Sequence, residues 1–106
     1  MEDLGPEQWR KAIADDDQAV IVDVRTPGEW MEGIIPDAEC QDMFDGPAFR
    51  EFIQNLDQDK HYYVYCRSGN RSGQACRFMA SHGITCFNLK GGIMGWNGDI
   101  VPPRGL

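Results

Sequence analysis

Long hydrophobic runs, paired cysteines and an excess of positive charge are all missing from this 106-residue sequence. No stretch approaches the roughly 20 apolar residues that a membrane-spanning helix needs, so we expect no membrane partner. The N-terminal Met1-Glu2-Asp3-Leu4 is acidic and lacks the basic and apolar segments of a secretory signal. We therefore expect a cytoplasmic protein.

Basic residues are in the minority, since 10 Lys and Arg stand against 17 Asp and Glu and give a formal net charge of -7. Nucleic-acid binding needs a basic surface, so this balance argues against it. Histidine is also scarce, with only His61 and His82, and no Cys-x-x-Cys pair is present. Structural zinc sites usually combine such closely spaced ligands, so we expect no metal and no other cofactor.

The length suits one domain over residues 1–106. Continuous apolar runs at 19–24, 61–66 and 84–89 predict buried strands. Helical patterns lie between them, and the clearest has apolar residues at i, i+3, i+4 and i+7. Its members are Phe49, Phe52, Ile53 and Leu56. Strands that alternate with helices predict an α/β domain with a mainly parallel sheet.

Shorter patterns complete this outline. A first helix begins at Gly5-Pro6 and ends at Asp15-Asp16-Asp17, which we interpret as a solvated turn. Pro27 starts a short helix, and residues 39–41 form a short extended segment. The next long helix is predicted from about Ser72 to His82, and a last short helix at 93–96.

The chemistry of the chain concentrates where the central strand ends, at Cys66. Small and basic residues follow this cysteine, and then the helical pattern begins. A thiol at the amino end of a helix meets unpaired N–H groups and the positive end of the dipole, which favour the thiolate. We expect the backbone of 67–71 to form an anion-binding nest, with Ser68 and Ser72 as hydroxyl donors.

We expect no catalytic role for the other cysteines or for the two histidines. Cys40, Cys76 and Cys86 lie in packed-looking segments, so we expect inert thiols rather than disulfides. His61 and His82 are expected at the surface or at helix ends, because a thiolate that is already formed needs no general base.

Four short motifs follow one another between residues 20 and 96. They are Asp23-Val24-Arg25-Thr26-Pro27-Gly28-Glu29-Trp30, Gly33-Ile34-Ile35-Pro36-Asp37-Ala38, Cys66-Arg67-Ser68-Gly69-Asn70-Arg71-Ser72, and Leu89-Lys90-Gly91-Gly92 followed by Trp96. With these motifs the chain resembles a single-domain rhodanese, of the sulfurtransferase family, over nearly its whole length. The resemblance implies a rhodanese-like fold, with a mainly parallel central sheet and helices on both faces.

Two positions depart from the second motif of that family, which reads Gly-His-Ile-Pro-Gly-Ala. Ile34 stands where the family usually has histidine, and Asp37 stands where it usually has glycine. These changes concern the local turn and its hydrogen bonds rather than the cysteine loop. The first strand that often precedes the first helix in the family is expected to be short or absent.

The resemblance implies a sulfurtransferase of the thiosulfate:cyanide type that works through a Cys66 persulfide. The other loop residues are expected to bind the substrate, and they are Arg67, Ser68, Gly69, Asn70, Arg71 and Ser72. Arg67 would hold an anionic donor, while Arg71 would brace the loop or share that task. Arg25 and Glu29 are interpreted as a structural ion pair. The implied partners are a small anionic sulfur donor and a thiol or cyanide acceptor, or else an acceptor protein.

Three alternatives stay open at this stage. Cysteine phosphatases share the fold, but phosphate needs a wider Cys-x5-Arg ring than the Cys-x4-Arg spacing from Cys66 to Arg71. A non-enzymatic module for binding or sulfur delivery is the second alternative, and such domains often lack the cysteine. The third is a redox switch in which Cys40, Cys76 or Cys86 resolves Cys66.

Overall fold

A computed structural model describes residues 1–104 of the protein. Its strands are β1 (Glu2–Leu4), β2 (Ala19–Asp23), β3 (Glu39–Cys40), β4 (His61–Tyr65) and β5 (Thr85–Leu89). Its α-helices are α1 (Pro6–Ala14), α2 (Pro27–Trp30), α3 (Gly46–Gln54) and α4 (Asn70–Ser81), and a 3₁₀ helix covers Ile93–Gly95. Within these residues, no helix combines the length and the apolar character that crossing a membrane requires.

All five strands form one parallel sheet in the order β1-β5-β4-β2-β3. β4 lies in the middle, paired with β5 on one side and with β2 on the other. Parallel strands place their carboxyl ends at the same edge, where ligands of such sheets bind. The sheet therefore delivers the residue after Tyr65, which is Cys66, to that edge. The predicted α/β fold with a mainly parallel sheet is confirmed.

Helices cover both faces of the sheet, as the resemblance implies. On one face, α3 and α4 pack Phe49 and Met79 into a core with side chains of β2 and β4. On the other face, Trp9 of α1 lies edge-on against the rings of Tyr63 and Tyr65, with centroids 6.1 Å apart in each pair. Because both faces are buried, β4 is apolar at successive positions instead of alternating with polar residues.

Helix α4 begins at Asn70, two residues before the predicted start at Ser72. Gly69 caps it with a φ of 99°, a left-handed conformation that glycine adopts without steric cost. Asn70 and Arg71, which the sequence places in the loop, therefore form the first turn of the helix. The free loop between strand and helix is correspondingly shorter.

The acidic turn after α1 is more than the solvated turn that the sequence predicts. The Tyr63 hydroxyl donates to Asp16 Oδ2 at 2.8 Å, and Nδ1 of His61 lies 2.7 Å from the same oxygen. Burial acts to raise the pKa of Asp16, but hydrogen bonds from His61, from the Gln18 N–H and from Tyr63 lower it overall. These contacts connect the turn to β4, toward the end of the strand that lies opposite Cys66.

The two departures from the second motif keep the backbone turn intact. Asp37 adopts a φ of 71°, so the aspartate takes the left-handed conformation that glycine would occupy. Ile34 is buried and exchanges two backbone hydrogen bonds with Val101, of 2.8 and 2.9 Å. At the start of the chain, β1 has three residues, so the first strand is short rather than absent.

Candidate active site

Cys66 follows β4 directly, and its side chain is fully buried at the carboxyl edge of the sheet. The loop after it folds back over the sulfur, so that the Gly69 N–H donates to Sγ at 3.1 Å. The hydroxyl of Ser72, in the first turn of α4, lies 3.3 Å from the same sulfur. N–H and O–H donors thus meet at one sulfur atom, at the positive end of a helix dipole.

These surroundings favour the thiolate of Cys66 over the thiol. Burial acts to raise the pKa of Cys66, because a charge is costly away from water. Hydrogen bonds from the Ser72 hydroxyl and from the N–H groups of Ser72, Gly69 and Ser68 outweigh burial and lower the pKa overall. The thiolate is the nucleophilic form of cysteine, so the same donors make this sulfur more reactive than that of an ordinary cysteine.

Residues after β5 hold the loop from its outer side. The Ile93 N–H donates to the Cys66 carbonyl at 2.9 Å, and the Met94 N–H donates to the Arg67 carbonyl at 3.1 Å. Gly92 makes this approach sterically possible, because a Cβ there would lie 2.3 Å from the Arg67 carbonyl oxygen. The sequence predicts only a tight turn at this glycine and does not reveal the contact; the one signal is its place in the fourth motif.

Arg71 is fastened to Glu29 of α2 by two hydrogen bonds of 2.9 Å each. This hydrogen bonding by Arg71 is the main cause that lowers the pKa of Glu29 to about 2. The Thr26 hydroxyl and N–H donate to the same carboxylate, at 3.0 and 3.3 Å. The first turn of α4 is therefore braced against α2 through a carboxylate that is itself held in place.

The predicted ion pair between Arg25 and Glu29 is wrong. Nη2 of Arg25 lies 2.7 Å from Oδ2 of Asp23, both side chains are buried, and the same nitrogen donates to the Gly33 carbonyl. The spacing of four residues resembles a helical pair, but Arg25 precedes α2, so the two side chains do not share a helix face. Glu29 faces Arg71 instead, a contact between residues far apart in sequence.

Arg67 is exposed and borders a cleft of about 280 Å³ beside the loop. The cleft is also lined by Arg25, Glu29, Glu32, Ile93 and Met94. The exposed Ser68 and Asn70 line a different pocket, together with Asp3 and Lys90. Since only the backbone N–H of Ser68 acts on the sulfur, the hydroxyl donor expected from two serines is Ser72 alone.

The other cysteines lie in different surroundings. Cys76 on α4 and Cys86 on β5 are buried with their sulfur atoms 3.0 Å apart. The hydrogen bond with Cys86 and burial raise the pKa of Cys76, and burial raises the pKa of Cys40 to about 11. Cys76 and Cys86 contact each other, whereas the hydrogen-bond donors to Cys66 come from Gly69 and Ser72. A resolving cysteine for Cys66 stays a prediction.

Neither histidine lies at the sulfur. His61 contacts Asp16 at the opposite end of β4, and His82 is exposed at the end of α4. Among residues 1–104, no three His, Cys, Asp or Glu side chains come together as metal ligands would. The chemistry that the arrangement itself supports is nucleophilic attack by a buried thiolate on a small substrate.

Comparison with known proteins identifies the family of the chain. A family model described as Rhodanese-like domain matches residues 6–99. The Sulfurtransferase of Allochromatium vinosum is 36% identical, and the match covers 97% of each chain. YtwF of Bacillus subtilis, whose sulfurtransferase name is provisional, is 38% identical over 88% of this chain and 87% of its own. These names support an enzyme of sulfur transfer.

Among solved structures, a Rhodanese-like Domain Protein from Staphylococcus aureus has a TM-score of 0.83 and 24% identity, covering 98% of this chain and 100% of its own. This likeness shows the fold. Other relatives carry other names: a tRNA uridine(34) hydroxylase of Pelagibacter ubique is 27% identical over 97% of this chain but only 34% of its own length. The domain therefore also forms part of larger proteins.

Proposed function

Because the chain belongs to the rhodanese-like domain family, we propose that it is a sulfurtransferase that carries the transferred sulfur on Cys66 as a persulfide. The observation that carries the proposal is the set of donors directed at one buried sulfur, from Gly69 and Ser72. A site built this way stabilises an anionic sulfur in either form, thiolate or persulfide.

In the first half-reaction, the Cys66 thiolate attacks the outer sulfur of a donor such as thiosulfate. A bond forms between Sγ and that sulfur while the S–S bond of thiosulfate breaks. Sulfite leaves with the bonding electron pair, and the outer sulfur stays on Cys66 as a persulfide anion. A small persulfide donates in the same way and leaves as a thiolate.

In the second half-reaction, an acceptor thiolate, or cyanide, attacks the outer sulfur of the persulfide. The S–S bond breaks, Cys66 leaves as a thiolate, and the product is a new persulfide or thiocyanate. Both steps transfer one sulfur atom without net oxidation, so no redox cofactor is needed. Donors that lower the pKa of Cys66 also make it a better leaving group.

Arg67 is the residue we assign to binding the anionic donor. Arg71 is already paired with Glu29, and Arg25 with Asp23, so their charges are largely balanced. Arg67 forms no ion pair with the residues that the structure describes, and this exposed residue borders the cleft that Ile93 and Met94 also line. A positive group on a protein of net charge -7 attracts a small anion locally while the rest of the surface repels polyanions.

The test is the intact mass of the protein after treatment with thiosulfate or a small persulfide. We expect one added sulfur atom on the wild type and on Cys40→Ser, and none on Cys66→Ser. Thiocyanate formation with cyanide as acceptor should likewise require Cys66. If folded wild-type protein gains no sulfur and forms no thiocyanate, the proposal is wrong and a binding module becomes the better explanation.

A phosphatase of the same fold is the enzyme class that this proposal excludes. The Cys-x4-Arg spacing gives a short ring, and the early start of α4 at Asn70 shortens its free part further. We therefore expect no turnover of aryl phosphates. Hydrolysis of an aryl phosphate by wild type but not by Cys66→Ser would replace the sulfurtransferase assignment.

A further inference from the structure

Asn88 is a buried polar residue near the end of β5, with only 4% of its surface exposed. Its Nδ2 donates to Asp3 Oδ1 at 2.8 Å and to the Gly69 carbonyl at 3.1 Å. Both partners accept hydrogen bonds and donate none, so they fix which way the amide is turned. The side-chain oxygen of Asn88 must then face the other way, and there it meets the hydroxyl of Ser72.

Ser72 has two acceptors within reach of a single hydroxyl hydrogen. Its Oγ lies 2.5 Å from Asn88 Oδ1 and 3.3 Å from Cys66 Sγ. The amide oxygen carries no hydrogen, so in the shorter contact Ser72 has to be the donor. A lone pair of Oγ is then left to face the sulfur, and it can accept the S–H of a neutral thiol.

We propose that Asn88 is a positioning residue that holds the Ser72 hydroxyl hydrogen while Cys66 is a thiol and releases it when the sulfur becomes an anion. In the thiol state, the S–H donates to Ser72 and Ser72 donates to Asn88. When the thiol proton leaves to water, the hydroxyl turns to the sulfur and the Asn88 oxygen loses its buried donor. Because an unpaired buried acceptor is costly, Asn88 stabilises the thiol state.

The inference deepens the proposed function, since it concerns the same sulfur, but it is tested by ionisation and needs no sulfur transfer. Charged side chains also lie in this loop and on the elements around it. They are Arg67 in the loop, Arg71 on α4, Glu29 on α2, the Asp23 and Arg25 pair at the end of β2, and Asp3 on β1. The substitutions of Asn88 and Ser72 leave all of these charges in place. Asp3 is substituted separately, as a control.

The experiment measures the pKa of Cys66 from the ultraviolet absorbance of its thiolate, as the difference between each protein and its Cys66→Ser partner. In Asn88→Leu, Ser72 is free to donate to the sulfur, so the pKa should fall by about one unit. In a Ser72→Ala background, the same Asn88→Leu change should produce no shift. Asp3→Asn, which keeps an acceptor for Nδ2, should leave the pKa unchanged.

Two results would overturn the proposal. One is a rise of the Cys66 pKa in Asn88→Leu, which would mean that Asn88 only shapes the loop through Gly69. The other is an equal shift in the presence and absence of the Ser72 hydroxyl. Folding of each variant is checked by thermal unfolding and circular dichroism.

A measurement on the unmutated side chains guards against a variant that fails to fold. The side-chain amide signals of Asn88 in an NMR pH titration should shift with the midpoint of Cys66 ionisation. They should not shift at that midpoint in Ser72→Ala or in Cys66→Ser. If the amide signals of Asn88 in the wild type do not shift as Cys66 ionises, the proposal is contradicted, and this test needs no substitution of Asn88.

Discussion

Cys66 and Cys76 are equally buried thiols of the same hydrophobic cluster, yet they differ in how easily they ionise. The pKa of Cys66 is lowered by the donors around it, although burial acts against them. The pKa of Cys76 is raised by the hydrogen bond with Cys86 and by burial. Burial is common to both, so the direction of the pKa shift depends on which groups face the sulfur.

The position of each sulfur relative to α4 explains why those groups differ. Cys66 faces the first turn of the helix, where the N–H groups have no partner within the helix. Cys76 lies in the second turn, where the backbone N–H groups already bond to carbonyls of the preceding turn. A helix thus activates a thiol at its amino end and leaves a thiol along its side inert.

The largest expected effect is on the rate of chemical modification. We expect methyl methanethiosulfonate, a compact reagent, to modify Cys66 at least about a hundredfold faster than Cys76 at neutral pH, because the thiolate is the reacting form. Peptide mass spectrometry after an acid quench gives the two rates. In denaturant the difference should disappear, and comparable rates in the folded protein would remove the contrast between the two sites.

The second prediction removes the close approach that shapes the loop. Gly92→Ala would place a Cβ 2.3 Å from the Arg67 carbonyl oxygen, so the loop must shift and the donors leave the sulfur. We expect sulfur uptake from thiosulfate to slow by about a hundredfold, as a displacement of about 1 Å can cause. The matched control is Gly95→Ala in the same segment, where a Cβ would meet nothing within 4 Å. Equal uptake by both variants would show that the approach of Gly92 does not shape the site.

The third prediction loosens the brace of the loop without touching Cys76. Glu29→Gln removes the charge from the contact with Arg71 and should lower the free energy of unfolding by about 1 kcal/mol near neutral pH. Glu29 has a depressed pKa, so its contribution is present above the unfolded value, near 4.5, and is lost as the pH falls toward 2.

Urea unfolding at several pH values measures the difference between wild type and Glu29→Gln. The difference should narrow between about pH 5 and pH 2. Glu7→Gln serves as the control, because Glu7 pairs with Arg10 at the surface and is mostly exposed. A difference that stays constant with pH would mean that the Glu29 carboxylate contributes nothing through its charge.

The smallest expected effect concerns the pH dependence of stability, which should have opposite signs for Cys66 and Cys76. The lowered pKa of Cys66 contributes stability above the pKa of an unfolded thiol, near 8.5, and this stability is lost as the pH falls. The raised pKa of Cys76 contributes stability that is present below that value and lost as the pH rises. Relative to wild type, Cys66→Ser should therefore become less stable between pH 7 and 10, and Cys76→Ser more stable. Denaturant unfolding under reducing conditions measures both trends, and slopes of the same sign would contradict them.

Much of the fold could be predicted because it depends on local pattern. Apolar runs located the three long strands, and the spacing of Phe49 and Ile53 located α3. The place of Cys66 at a strand end and helix start followed from the same patterns. The start of α4 could not be read correctly, because the left-handed conformation of Gly69 changes the boundary and leaves no trace in periodicity.

Contacts between distant parts of the chain could not be predicted. The bond between Arg71 and Glu29 joins α4 to α2, whereas the interpretation of the sequence paired Glu29 with Arg25. Gly92 approaches the loop only because β5 and β4 are neighbours in the sheet. The contact between Asp16 and His61 has the same cause, because β2, which follows Asp16, pairs in the sheet with β4, which begins at His61.

The position of β1 has a consequence for the order in which the chain can fold while it is being synthesised. β1 is made first, but its partner in the sheet is β5, and Asp3 is joined to Asn88. Cys66 is likewise made before Gly92 and Ile93, which hold its loop. A growing chain cannot form the hydrogen bonds from the Ile93 and Met94 N–H groups to this loop until these residues have been made. The backbone contacts that hold the Cys66 loop are therefore completed late in synthesis, after β5.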